Sequence, residues 1–133
     1  MFKFIGSNGF LLVIVLLVFA FWLFRAVSNA GGRTSPEAAL QIMNQLGDDN
    51  FILLDVRSLA EFNQRHLRGA SVIPLNELAG RAENELPHKD KAIFIYCASG
   101  NRSAQAARTL KNLGYTRVYD TGGINGWPTN LQQ

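Results

Sequence analysis

The chain of 133 residues has little of what disulfide and metal chemistry requires. Its single cysteine, Cys97, excludes an internal disulfide framework and a structural zinc site built from thiolates. The two histidines, His66 and His88, are too far apart for a metal-ligand motif, so we expect no metal and no other cofactor. The net charge of +3 comes from scattered lysines and arginines, which argues against a nucleic-acid partner.

Charged and polar residues are absent from positions 10–24, which read FLLVIVLLVFAFWLF. A membrane-spanning helix needs about 18 to 20 apolar residues. The segment approaches that length when Ala26 and Val27 are counted and the Arg25 side chain extends to the interface. We therefore predict an N-terminal membrane anchor over residues 1–27, containing one transmembrane helix.

A cleaved signal peptide is the alternative interpretation of the same segment. Lys3 would form its basic start, and residues 28–30 (SNA) match a small-x-small cleavage site. Cleavage would leave a periplasmic or secreted domain. For an uncleaved anchor, the basic residues on its two sides slightly favour a cytoplasmic domain. Residues 28–34 form a small, polar linker to the domain that follows.

Strand and helix patterns alternate from residue 35 to about residue 130. Residues 51–56 and 92–96 are continuous apolar runs, typical of strands buried on both faces of a parallel sheet. Shorter strands are predicted near residues 72–73 and 116–120, with helices at 36–46, 58–67, 76–86 and 103–113. This order predicts an α/β domain with a parallel sheet covered on both faces. Ligands bind such sheets beyond the carboxyl ends of the strands, where Cys97 and Asp55 lie.

The cysteine lies where a buried strand ends and a helix begins, in the stretch YCASGNRS of residues 96–103. The backbone N–H groups of such a loop and the helix N-terminus favour an anion and lower the pKa of a thiol. Taken without its neighbours, a cysteine after an apolar strand is more often a core residue. With them, Cys97 is predicted to be a nucleophile in an anion-binding loop. The candidate substrate-binding residues are Ala98, Ser99, Gly100, Asn101, Arg102 and Ser103.

Residues outside the loop are candidates for supporting or packing roles. Asp55 and Arg57 are candidates for a supporting role, although Asp55 fits a helix cap or a bond to nearby backbone equally well. Arg57 and Glu61 have the spacing of a structural ion pair. His66 and Trp127 are predicted to be packing residues rather than catalytic ones.

Several motifs resemble, in order and spacing, those of the rhodanese (sulfurtransferase) domain family. They are LLDVR at 53–57, EF at 61–62, HLRGA at 66–70, IP at 73–74, YCASGNRS at 96–103, LGY at 113–115 and GGINGW at 122–127. The resemblance implies a three-layer α/β domain over residues 35–130 around a central parallel sheet of five strands. It also implies that Cys97 takes a sulfane sulfur from a donor such as thiosulfate or a persulfide and passes it to a thiol or cyanide. In this family the loop amides stabilise the outer sulfur, and the residue matching Arg102 orients the donor.

Two other functions are compatible with the loop. Cysteine phosphatases and arsenate reductases place one residue more between cysteine and arginine than the four found here. A shorter loop gives a narrower ring of amides, which suits a sulfur atom better than a tetrahedral phosphate. The second alternative is a membrane-tethered persulfide carrier or regulatory binding module, with a protein as acceptor and little turnover of small molecules.

Overall fold

The structure is a computed structural model and describes residues 7–28 and 32–133. The chain falls into two compact units, divided between Gly32 and Arg33. Parts of the predicted anchor, cleavage site and linker, namely residues 1–6 and 29–31, lie outside the described residues.

Helix α1, Ser7–Ser28, lies in the first unit. It contains the uninterrupted apolar run, and the large apolar side chains from Phe10 to Phe24 are exposed. Within residues 7–28 and 32–133, no helix has both the length and the hydropathy that crossing a membrane requires.

The second unit is built on a parallel sheet with the strand order β2-β1-β3-β4. The strands are β1 (Phe51–Asp55), β2 (Ser71–Val72), β3 (Ala92–Cys97) and β4 (Val118–Gly123). The central strands β1 and β3 pair from Phe51 opposite Ala92 to Asp55 opposite Tyr96. Every residue of β3 is buried, as its continuous apolar run predicts.

Helices cover both faces of this sheet and make three layers. They are α2 (Pro36–Leu46), α3 (Leu59–Gln64), α4 (Leu75–Glu85) and α5 (Asn101–Asn112). On one face, Leu78 of α4 and Leu110 of α5 pack with Ile95 in one hydrophobic cluster. The second cluster contains Met43 of α2 and Phe94. Short 3-10 turns at Asp48–Asn50, Ile124–Gly126 and Thr129–Leu131 complete the unit.

The described residues form four strands, whereas the family resemblance implied five. Outside the sheet, the described chain has one isolated antiparallel bridge, Leu67 opposite Gln132. Beside β4 there is a single contact, in which Thr34 donates its backbone N–H to the carbonyl of Asp120 at 2.8 Å. Pro36 then begins α2, with Ser35 as its N-cap. Proline is favoured at the first position of a helix, so the chain turns into α2 before a ladder can form.

Candidate active site

Cys97 ends β3, and the short loop after it leads into α5 at Asn101. Gly100 precedes the helix with φ +99°, a conformation that glycine adopts without the strain of a side chain. Its backbone N–H donates a hydrogen bond to the sulfur of Cys97, at a nitrogen–sulfur distance of 2.9 Å. The thiol is buried. The loop therefore curls around the sulfur atom and aims backbone donors at it.

The surroundings of Cys97 favour its thiolate. Burial raises the pKa of the thiol, but hydrogen bonds from the side chain and backbone of Ser103, and from the N–H groups of Gly100 and Ser99, outweigh it. The pKa of Cys97 consequently lies below its ordinary value. The N-terminus of α5 favours negative charge at the same place. The loop is chemically suited to hold a sulfur anion.

Arg102 lies beside the loop and is held there by Glu61. Its two terminal nitrogens donate to the two carboxylate oxygens of Glu61 at 2.7 and 3.0 Å. This hydrogen bond is the main cause that lowers the pKa of Glu61 to about 2. A bidentate pair of this kind fixes the plane of the guanidinium as well as its position. Arg102 is therefore a fixed positive charge close to Cys97.

The predicted ion pair between Arg57 and Glu61 is wrong. Glu61 is the third residue of α3 and forms a capping box with Ser58, whose hydroxyl accepts the N–H of Glu61. The cap holds the carboxylate at the helix N-terminus, where Arg102 reaches it. Arg57 pairs with Asp55 instead, at 2.7 Å.

The Asp55–Arg57 pair is buried at the carboxyl end of β1. Asp55 Oδ1 accepts the backbone N–H of Arg57 at 2.8 Å, which is the bond to nearby backbone that the sequence allowed. The guanidinium of Arg57 also donates to the carbonyl of Arg65 and lies 5.7 Å from the ring centre of Tyr96. These contacts fix the chain that follows β1 and occupy both charged groups.

Two predicted packing residues are confirmed. His66 hydrogen-bonds the carbonyl of Phe62 through Nδ1 at 2.8 Å, and its ring stacks on that of Phe62. Trp127 is buried in the cluster that contains α2.

Gly123 contributes to the site, although the sequence shows it only as part of a glycine-rich tail. It lies opposite Cys97 in the β3–β4 pairing. A Cβ atom at this position would lie 2.4 Å from the carbonyl oxygen of Ala98. The cysteine loop thus rests directly on the backbone of β4. The paired glycines of the GGINGW motif were the signal for this close approach.

Arg33 and Asp120 also reach the loop, and sequence reasoning assigned them no role there. Asp120 Oδ1 lies 2.7 Å from the hydroxyl of Ser103. Arg33 donates to the carbonyl of Gly100 at 3.1 Å. Both residues are distant from Cys97 in sequence, and only the packing of β4 and the preceding chain brings them to the loop.

A cavity of about 490 Å³ opens beside Arg102. Much of its wall is apolar and comes from residues at the ends of β1 and β2 and in the adjoining helices: Val56, Leu59, Pro74 and Leu75. Glu77 also lines the cavity. Leu59 has 57% of its surface exposed, which is high for a leucine in a folded domain. The cavity offers space for a reactant next to the charged edge of the loop.

The rhodanese-like domain family matches residues 35–130, and the chain belongs to this family. The putative sulfur carrier protein YrkF of Bacillus subtilis is 38% identical over 103 residues, which are 75% of this chain and 55% of YrkF. The thiosulfate sulfurtransferase PspE of Escherichia coli is 38% identical over 71 residues, 53% of this chain and 68% of PspE. A solved rhodanese with anions from E. coli has a TM-score of 0.56 at 33% identity, covering 62% of this chain and 95% of that one.

These relatives support rhodanese-type sulfur transfer at the level of the family. This chain spans little more than half the length of YrkF. The similar structures also share the parallel α/β architecture described above.

Proposed function

We propose that this protein is a sulfurtransferase that carries sulfur as a persulfide on Cys97, from a small donor such as thiosulfate to a thiol or cyanide. The observation that carries the proposal is the hydrogen bond from Gly100 N–H to the sulfur of Cys97, within a loop that lowers the pKa of that thiol. The thiolate is the nucleophilic form of cysteine.

The reaction has two displacement steps. The Cys97 thiolate attacks the outer sulfur of thiosulfate, the S–S bond of the donor breaks, and sulfite leaves with the bonding electron pair. An acceptor thiolate then attacks the outer sulfur of the Cys97 persulfide. The new persulfide leaves on the acceptor, and the thiolate of Cys97 is regenerated. With cyanide as acceptor the product is thiocyanate.

The loop residues have distinct roles in this proposal. The N–H groups of residues 98–103 stabilise the outer sulfur of the persulfide, as donors fixed in advance around a developing anion. Arg102, held in plane by Glu61, orients the anionic donor. Because Cys97 is buried, a reactant has to approach it with a small group, such as the outer sulfur of thiosulfate.

Intact-mass measurement after incubation with thiosulfate tests the nucleophile. The wild-type chain should gain one sulfur atom, and Cys97→Ser should gain none and lose thiosulfate:cyanide activity. Activity that survives in Cys97→Ser would overturn the proposal. Arg102→Lys keeps the charge but loses the planar fork, so kcat/KM for thiosulfate should fall about tenfold or more.

A persulfide carrier with a protein acceptor is the second candidate function. The apolar cavity beside Arg102 and the exposed Leu59 favour it, because a small thiol does not require an apolar surface. YrkF is named a putative sulfur carrier, and a related protein of Mycobacterium tuberculosis a probable adenylyltransferase/sulfurtransferase. A carrier should load sulfur on Cys97 stoichiometrically but turn over cyanide and small thiols slowly. Fast turnover of small thiols, unchanged in Leu59→Asp, would refute this candidate.

We also propose that the apolar segment at residues 10–24 tethers the domain to a membrane, with the domain on the cytoplasmic side. The support is the sequence itself, which has no polar residue over that segment. The full chain should remain in the membrane fraction after alkaline carbonate extraction. Its intact mass should show that the N-terminal segment is retained. A mature chain that begins near residue 31 would show a cleaved signal peptide instead.

A further inference from the structure

Asp120 lies in β4 beside the cysteine loop, and the proposed reaction assigns it no role. Its Oδ1 atom lies 2.7 Å from the hydroxyl oxygen of Ser103 and accepts the backbone N–H of Gly122 at 3.0 Å. The side chain of Asp120 is 15% exposed, so this carboxylate is largely sheltered from water. A sheltered charge at hydrogen-bond distance from a loop residue influences that loop more strongly than a surface charge does.

Ser103 connects Asp120 to the reactive sulfur. Its hydroxyl has one proton to donate and hydrogen-bonds two oxygens, the carbonyl of Gly100 at 3.0 Å and the carboxylate of Asp120 at 2.7 Å. Hydrogen bonding by the same hydroxyl is one of the causes that lower the pKa of the Cys97 thiol. A carboxylate accepts more strongly than a neutral carbonyl, and its contact is the shorter of the two oxygen contacts. Asp120 therefore competes directly with the Cys97 thiolate for this proton.

Arg33 is the counter-ion of Asp120. Its Nε atom lies 3.8 Å from Asp120 Oδ2, and its Nη2 atom donates to the carbonyl of Gly100. The side chain of Arg33 is 53% exposed, so water screens its charge and the carboxylate is only partly neutralised. Arg33 therefore weakens, but does not abolish, the hydrogen bond that Asp120 accepts from the Ser103 hydroxyl.

The other charges that face Cys97 have closer partners. Arg102 of α5 is paired with Glu61 of α3 at 2.7 Å, and Asp55 of β1 is paired with Arg57 at the same distance. Among the carboxylates near the loop in the described part of the chain, Asp120 is thus the one with the most distant counter-ion. A change at Asp120 should alter the electrostatics of Cys97 without disturbing either of those pairs.

We propose that Asp120 is a positioning residue for sulfur transfer: it draws the hydroxyl proton of Ser103 away from Cys97 and so limits the thiolate, and Arg33 moderates this effect. The inference rests on the proposed role of Cys97 as the nucleophile. It makes the thiolate population depend on a carboxylate in β4 and on an arginine that precedes α2.

Replacement of Asp120 by asparagine should lower the pKa of Cys97. An amide oxygen can still accept the N–H of Gly122 but holds the Ser103 proton less strongly, and the negative charge is gone. Both changes act in the same direction. We expect the midpoint of the pH profile for Cys97 alkylation to fall by about half to one pH unit in Asp120→Asn. Arg33→Gln should raise it by a few tenths of a unit, because the carboxylate loses its counter-ion.

The test measures the rate of Cys97 alkylation by iodoacetamide against pH on the full chain. The variants are Asp120→Asn, Ser103→Ala, the double variant and Arg33→Gln. If Asp120 acts through Ser103, the shift caused by Asp120→Asn shrinks in the Ser103→Ala background. A midpoint that stays or rises in Asp120→Asn, or a shift of equal size in both backgrounds, overturns the proposal.

Two features keep the outcome decisive. A merely structural role of Asp120 would lower the unfolding temperature without moving the alkylation midpoint in the stated direction. If Asp120→Asn does not fold, Arg33→Gln is measured with and without Ser103→Ala: a rise of the midpoint that shrinks in the Ser103→Ala background supports the proposal, and no rise, or a rise of equal size in both backgrounds, refutes it. Alkylation needs no sulfur donor, so the proposed function can fail, with no persulfide after thiosulfate, while these shifts are still observed.

Discussion

Gly123→Ala tests whether the cysteine loop is positioned by the backbone of β4. Gly123 has φ −91°, which any residue can adopt, so the substitution adds no backbone strain. The new Cβ atom would lie 2.4 Å from the carbonyl oxygen of Ala98, 3.1 Å from its carbonyl carbon and 3.3 Å from the Cα of Ser99. All three atoms belong to the loop backbone, so no flexible side chain can absorb the clash.

The size of the effect follows from these distances. An ordinary contact requires the carbonyl of Ala98 to move by about 1 Å. The hydrogen bond from Gly100 N–H to the Cys97 sulfur is 2.9 Å long and would be stretched or misaligned by such a shift. Overpacking of this kind costs about 1–3 kcal/mol of stability. A misplacement of about 1 Å in a reacting group costs about 100-fold in rate.

The assay is the rate of persulfide formation from thiosulfate, measured together with urea unfolding. Gly80→Ala is the matched control, because a Cβ at this α4 position meets nothing within 4 Å. In a helix interior this control should gain about 0.5–1 kcal/mol of stability and leave the rate unchanged. Gly123→Ala should instead lose about 100-fold in rate. A wild-type rate in Gly123→Ala would refute the view that β4 positions the loop.

Three further predictions concern the charges and the core around the site. Iodoacetamide should react with Cys97 along a pH profile whose midpoint lies below about 8.5, because loop donors stabilise the thiolate; a higher midpoint would contradict this. Glu61 has a pKa of about 2 in the folded state, chiefly through Arg102, against an ordinary value of 4.5, so its pair stabilises the fold above pH 4.5 and loses that effect as the pH falls towards 2. Glu61→Gln should therefore lower the free energy of unfolding by about 1 kcal/mol at pH 7 and by almost nothing near pH 2, measured by urea denaturation; equal losses at both pH values would argue against the pair. Tyr96→Phe should cost about 1–3 kcal/mol in the same assay, because the buried N–H of Leu67 loses the tyrosine hydroxyl as acceptor; a loss well under 1 kcal/mol would mean that the N–H finds another partner.

Most of the fold was predictable because local patterns coincide with burial. The apolar run at residues 92–96 became the buried strand β3, and Ser35 with Pro36 marked the start of α2. The predicted ends of helices and strands were less accurate where tertiary contacts, rather than local sequence, end the element. The helix predicted over residues 58–67 is only Leu59–Gln64, since Arg65 adopts an extended conformation after it. The number of strands in the sheet came from family resemblance and differed from the four in the structure.

The partners of charged residues could not be predicted from spacing. Arg57 and Glu61 are four residues apart, as an ion pair within a helix requires, but Arg57 lies before α3 begins. Its guanidinium turns back to Asp55, and Glu61 meets Arg102 from a helix 41 residues away in the chain. Sequence spacing predicts such pairs only when both residues lie in the same helix.

The sequence by itself determined the α/β class, the position of Cys97 at a strand end, and the glycine and amide donors that surround it. These features are local, since they depend on neighbours in the chain and on the period of apolar residues. Only the tertiary structure decided which groups act on that loop from outside: Glu61 on Arg102, Gly123 beneath Ala98, and Asp120 with Arg33 at Ser103. Parallel strands bring distant segments to one edge of the sheet, and contacts between such segments follow no sequence period.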